Sequence, residues 1–372
     1  MNFKWQVNIM EKKYPRIPSG CAISGIMNKK GERFSGTDIM KSIALMHDRS
    51  NGLGGGFAAY GIYPEYSDHY ALHVFYESLS NRVSAEEFIN EHFNVDTSEM
   101  IHTRKVKGIS NPPLIWRYFV QPKKNKLHSS ELTEEEYVVR CIMRINSSYE
   151  GCYIFSSGKN MGAFKGVGYP EDIGEFYRLE EYKGYLWTAH GRFPTNTPGW
   201  WGGAHPFTLL DWSIVHNGEI SSYHANARFL EMFGYKCTLQ TDTEVITYIF
   251  DFLMRKNGLP VELAVSTIAA PLWKEIERMD EDRKELIKAL RTVYSSLLIN
   301  GPFSIILGTR NGIVALNDRI KLRNMVAATK GDFLYVASEE SGIREICPNP
   351  ENVWVPKAGE PVIGLMEGVK EI

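Results

Sequence analysis

What this chain lacks narrows its function before any motif is considered. No apolar run approaches the ~18 residues needed to cross a bilayer, so a membrane role is not expected. The first twenty residues carry Lys4, Glu11, Lys12, Lys13 and Arg16 without a continuous apolar stretch, unlike a secretory signal. The five cysteines, at 21, 141, 152, 237 and 347, are odd in number and never spaced CxxC. A disulfide framework, an iron–sulfur cluster or a structural zinc held within this chain is therefore not expected, and a reducing cytoplasm fits. A net charge of -2 is too small to call for nucleic acid or an anionic membrane surface as partner. There is no internal repeat and no low-complexity segment.

What is present is an ordinary globular composition, 43% apolar and 23% charged over 372 residues, long enough to bury a large core. Tyr14-Pro15-Arg16-Ile17-Pro18 resists helix, and Cys21 to Ile26 reads as a buried strand. Ser35-Gly36-Thr37 opens a helix with Ile39, Met40, Ile43 and Met46 on one face. Further strand signals fall at His69 to Tyr76, Cys152 to Ser156, Tyr185 to His190, Ser213 to His216, Phe303 to Gly308, Ile313 to Leu316 and Phe333 to Ala337. Ser84 with Glu87 and Thr133 with Glu136 read as capping boxes, and Lys123-Lys124-Asn125-Lys126 as a solvated loop. Strands toward both ends with helices between them imply an α+β sandwich, rich in sheet, with helices on its outer faces.

Three segments after strands carry unusual polar sets. Arg192, in His190-Gly191-Arg192-Phe193-Pro194-Thr195-Asn196, is either a two-pronged carboxylate holder or a structural tie for a loop. His216-Asn217-Gly218-Glu219 reads as a turn. Its amide side chain and bare backbone N–H are either ordinary hairpin groups or a donor pair for an oxyanion. Thr241-Asp242-Thr243-Glu244 opens an apolar helix, so Asp242 is either part of an N-cap or a partner for an ammonium group.

Taken together with Cys21-Ala22-Ile23 and Ala204-His205-Pro206-Phe207, these segments resemble class II glutamine amidotransferases in order and spacing. The resemblance covers essentially all of 21–372, and Asp318-Arg319-Ile320-Lys321-Leu322-Arg323 is similar to a segment of glutamate synthase. This sequence departs from the pattern at Ala22, where many relatives have glycine, and at the Trp200-Trp201-Gly202-Gly203 patch.

The resemblance implies an N-terminal-nucleophile hydrolase fold, a four-layer αββα sandwich of two antiparallel sheets between helices. It implies a propeptide, 1–20, removed on maturation, and an amidotransferase domain, 21–372. Cys21 would then be the nucleophile, with its own freed α-amine as base. A thiol of pKa about 8.5 is mostly protonated at neutral pH, whereas an amine of pKa about 7.7–8.0 can accept its proton. Asn217 and the Gly218 N–H would form the oxyanion hole, Arg192 would bind the glutamine α-carboxylate and Asp242 its α-ammonium. Thr195 and His205 match pocket positions. A papain-like role for His47, His190 or His216 is the rival scheme; the family this chain resembles uses no such histidine.

No cofactor is expected in this chain. FMN and iron–sulfur clusters are expected on a partner, the synthase-domain subunit of a glutamate synthase, which would use ammonia released from L-glutamine; an oligomer is compatible with all of this. The alternatives are an unprocessed, non-catalytic glutamine-binding regulatory subunit and the glutaminase part of another amidotransferase.

Overall fold

The computed structural model describes residues 20–193, 199–239 and 241–372; residues 1–19 of the expected propeptide and Thr195 lie outside them. Two antiparallel sheets face one another. The first has seven strands, in the order Asn352–Trp354, Val326–Lys330, Phe333–Ala337, Ala22–Asn28, Leu186–Gly191, Gly55–Tyr60 and Met161–Gly166. The second has five, in the order Phe207–Leu209, Trp212–Gly218, Phe303–Thr309, Gly312–Asn317 and Val362–Leu365.

Period-two alternation sorts the side chains. Along Ala22–Asn28, Ile23 and Met27 enter the layer between the sheets, while Ala22 and Ile26 join the core beneath the outer helices Thr37–Ala44, Pro170–Phe176 and Glu340–Ile346. In the second sheet Val215, Ile306 and Ala315 face inward. Ile214, Ile305, Leu307 and Leu316 face outward to the core that includes Val245, Ile246 and Ile249 of the helix Asp242–Phe250. The order helix, sheet, sheet, helix is the αββα sandwich expected. Polar bridges cross the inner layer: the Tyr60 hydroxyl contacts Ser213 Oγ at 2.7 Å and the Gly308 carbonyl at 2.6 Å, and His190 Nε2 donates to the His216 carbonyl at 2.9 Å.

A third sheet, of strands Phe93–Met100, Leu114–Pro122, Tyr70–Tyr76 and Cys152–Ser156 in that order, adds to the expected pair. Leu72, Val74 and Tyr76 pack with Ala85, Ile89 and Val138 of the helices Leu79–His92 and Glu134–Ser148; Ala71 and Phe75 join the core under the first sheet.

Two local readings are corrected. The helix expected from Ser84 starts earlier, at Leu79, with Ser78 accepting from the Asn81 N–H at 3.2 Å; the Ser84 hydroxyl instead donates to the Ser80 carbonyl within the helix. The lysine-rich stretch is not a loop throughout. Lys124–Ser130 is helical, because Leu127 packs on the core and Lys126 pairs with Glu91 at 2.5 Å. Thr133 does cap its helix, accepting from the Glu136 N–H. Among the described residues no helix is long and apolar enough to cross a membrane.

Candidate active site

The strand register brings the polar residues to one end of the sandwich. In the first sheet Ala22 lies opposite Gly191, and Gly191 opposite Gly55, so Cys21, Arg192 and Gly54 continue from adjacent strand ends. In the second sheet Asn217 and Gly218 are the last residues of Trp212–Gly218, opposite Ser304 and Phe303. The Asn-Gly pair is therefore not the turn the sequence suggested, because Phe303–Thr309 supplies it with a ladder partner. That ladder leaves no room for a side chain at Gly218, where a Cβ would sit 2.0 Å from the Pro302 carbonyl oxygen.

Cys21 is half-buried. Its Sγ accepts from the Phe193 N–H at 3.3 Å, and its carbonyl accepts from Arg49 Nε at 3.3 Å. Burial pushes the thiol above its ordinary value; the Phe193 N–H and the guanidinium groups of Arg192 and Arg323 oppose this, and Asp242 adds to it. The thiol at rest is protonated and needs a base. Gly20 precedes it with φ +122°, and a Cβ there would meet Arg323 Nη1 at 3.2 Å, Asn217 Oδ1 at 3.6 Å and Arg49 Nη2 at 3.7 Å. Arg49 and Arg323 were not singled out from the sequence. Arg49 is held by Glu339 at 2.8 Å. The loop leading to Arg323 is shaped by buried Asp318, which accepts from the Ile320 and Leu322 N–H groups.

Arg192 is buried, with its N–H donating to the Gly54 carbonyl and its own carbonyl accepting from Asn51 N–H and Ser50 Oγ. Burial draws the guanidinium pKa down, against the pull of Cys21, Asp242 and Glu219. Asp242 is the first helical residue after Thr241, and Thr241 does the capping, accepting from the Glu244 N–H. This leaves the Asp242 carboxylate for other work. It accepts from the Ile220 N–H at 3.1 Å and from the Thr243 hydroxyl at 3.2 Å. Burial works against its ionisation, but His216 and these two donors outweigh it and hold the pKa below the ordinary value.

His205 does not reach for the thiol. Its Nε2 lies 2.8 Å from Thr243 Oγ1, which His216 Nδ1 also approaches at 3.1 Å. Since that hydroxyl spends its one proton on Asp242, both histidines donate to it. His190 stacks on His205 with ring centroids 3.9 Å apart. A Cβ at Gly56 would lie 2.2 Å from the His205 carbonyl oxygen, so only glycine lets that loop seat. His47, the third histidine considered, pairs with Glu171. In the Trp200–Gly203 patch, the Gly202 carbonyl accepts from the buried Lys165 Nζ at 2.9 Å, and burial lowers that ammonium to about 7.

Burial also depresses His73 and His190 to about 3 and His205 well below its ordinary value. These rings fold neutral, whereas the unfolded chain binds protons below about pH 6.5. The contribution of these three rings is therefore expected to be flat above pH 6.5 and to fall below it, approaching about 1.4 kcal/mol per pH unit for each ring. Urea unfolding at pH 7.5, 6.5 and 5.5 checks this; equal midpoints at the last two would contradict it.

Among the described residues no group of three or more His, Cys, Asp or Glu side chains is placed to hold a metal ion, and all five cysteines are free thiols.

A family model described as glutamine amidotransferases class-II matches residues 65–357, a stretch that begins after Cys21 and contains Arg192, His205, Asn217, Gly218 and Asp242. An uncharacterized protein of Archaeoglobus fulgidus is 52% identical over 350 residues, 93% of this chain and 92% of that one. The large chain of an NADPH glutamate synthase of Bacillus subtilis is 27% identical over 285 residues, 69% of this chain but 18% of that one. Among solved structures, a glutamine phosphoribosylpyrophosphate amidotransferase of B. subtilis overlays with a TM-score of 0.47 at 15% identity. That overlay covers 95% of this chain and 49% of the other, so this chain spans about half of that protein.

Proposed function

The chain belongs to the class II glutamine amidotransferases, and from that premise we propose that it releases ammonia from L-glutamine through a thioester on Cys21. The observation that carries the reading is convergence. Gly20, joined to Cys21, stands against Asn217, and the charges of Arg192 and Asp242 both act on the thiol.

Cutting between Gly20 and Cys21 converts an amide nitrogen, which cannot take a proton, into an amine that can. The amine accepts the thiol proton as Sγ bonds to the amide carbon of glutamine. Asn217 and the Gly218 N–H hold the oxygen that becomes negative. The proton passes to the departing nitrogen, the C–N bond breaks, and ammonia leaves. Water then attacks the thioester, gives its proton to the amine, and glutamate departs as the thiol reforms. Arg192 holds the α-carboxylate, Asp242 the α-ammonium, and His205 supports the pocket through Thr243; Thr195 is assigned to the pocket by resemblance alone.

The ammonia feeds glutamate synthesis from 2-oxoglutarate on a partner subunit that carries FMN and iron–sulfur clusters. Support for this finer reading comes from the Asp318–Arg323 segment and the similarity to a glutamate synthase large chain. Affinity purification that returns no flavin-bearing companion would count against it.

The position of Gly20 also favours a second reading, an unprocessed, non-catalytic regulatory subunit that binds glutamine without turnover. Mass spectrometry separates the two: an active preparation should begin at Cys21, and full activity with Gly20 still attached would refute the scheme. Arg192→Lys keeps the charge but loses the two-pronged fork. It is expected to raise KM for glutamine about 10–100-fold with kcat within about threefold; a change confined to kcat would move Arg192 out of ground-state binding.

A further inference from the structure

The register of the second sheet places three polar side chains in one row. Asn217 lies opposite Ser304, and Ser304 opposite Asn317. The next row on the same face, two residues along each strand, is Val215, Ile306 and Ala315, also in mutual register, and all three belong to the apolar layer between the sheets. The polar row therefore faces that layer too, at the end where Gly20 and Cys21 lie. Asn217, Ser304 and Asn317 are each 1% exposed or less. Among the described residues, Asn217 Nδ2 and Oδ1, Ser304 Oγ, and Asn317 Nδ2 and Oδ1 have no hydrogen-bond partner.

Five unpaired polar atoms buried in a row are costly, because each has given up water without gaining a protein partner. Apolar residues of similar shape would relieve that cost. Directly opposed residues in adjacent strands have Cβ atoms about 4.5–5.5 Å apart, so Ser304 lies within side-chain reach of both amides. A polar gap of this size takes a bridging water with two to four partners.

We propose that Ser304 and Asn317 are positioning residues that orient the Asn217 amide, directly or through a shared buried water, so that its N–H aims at the developing oxyanion. This rests on the reading of Asn217 given above. Asn317 and Ser304 never touch glutamine; they act through the amide that does.

The test uses the mature protein with Ser304→Ala and Asn317→Leu, scored for kinetics and for urea stability. Both variants are expected to remain folded under assay conditions, since each exchanges one buried polar group for an apolar one of similar size and any bridge lost is a single hydrogen bond. Each should lower kcat about tenfold while leaving KM within about twofold. In an Asn217→Ala background the same substitutions should have no further effect on kcat, because residues acting through a common group do not add. An unchanged kcat, an equal loss in the Asn217→Ala background, or a kcat loss that tracks lost stability overturns the proposal. A wild type that releases no glutamate sinks the parent reading as well, and is distinguished by that control.

Discussion

Replacing Cys21 with alanine is expected to lower glutamate release from glutamine by at least about 10⁴-fold, with the fold intact. The size follows from chemistry. The alternative nucleophile is water, which the α-amine of residue 21 could still deprotonate but which attacks an amide far more slowly than a thiolate. The stacked histidines are not free to help: His190 is spent on the His216 carbonyl and His205 on Thr243. Serine at the same position is a sharper probe, because it keeps a hydroxyl beside the same amine yet is a far weaker nucleophile. Glutamate formation, read against urea stability, decides the matter. Release by Cys21→Ala within tenfold of wild type would end the assignment of the thiol, whatever the family.

Asn217→Ala is expected to cost about 10²–10³ in kcat with little change in KM. The argument is geometric and electrostatic. The amide sits at the end of a strand, 1% exposed and, among the described residues, without a hydrogen-bond partner, so its N–H is already desolvated before charge appears on the substrate. Asn217→Asp should be worse than alanine, since an anion would then face the developing oxyanion. A variant series in which KM rises while kcat holds would instead make Asn217 a ground-state contact.

Much of the site was legible in the sequence because its residues follow strands or open a helix, and those boundaries write themselves in short polar runs. Asp242 could be weighed against its capping alternative, and the structure resolves that choice by giving the cap to Thr241. What stayed hidden depends on partners remote in the chain. Asn-Gly looks like a turn until Phe303–Thr309 extends the ladder beside it. Arg49 and Arg323 meet at Gly20 only through tertiary packing; the Asp318–Arg323 run marks Arg323 by resemblance but gives no hint that it reaches Cys21, and no local pattern marks Arg49. The edge strand Phe93–Met100 is mostly polar, with one bulge between Val95 and Thr97, so its alternation is weak. No sequence pattern marks Lys165, which is fully buried and donates to the Gly202 carbonyl.

The position of Gly20 has a kinetic corollary. On the proposed reading, Gly20, which stands beside Asn217, would compete in cis with substrate, at an effective concentration of millimolar order for a short link. Free glutamine must outbid that concentration molecule by molecule, and the balance would shift only slowly with supply. If Gly20 and Cys21 are parted as proposed, severing that one bond would remove the competitor for good, and turnover in a population would scale with the number of trimmed molecules. Preparations should thus fall into two classes by mass, one silent and one working, with no graded intermediate.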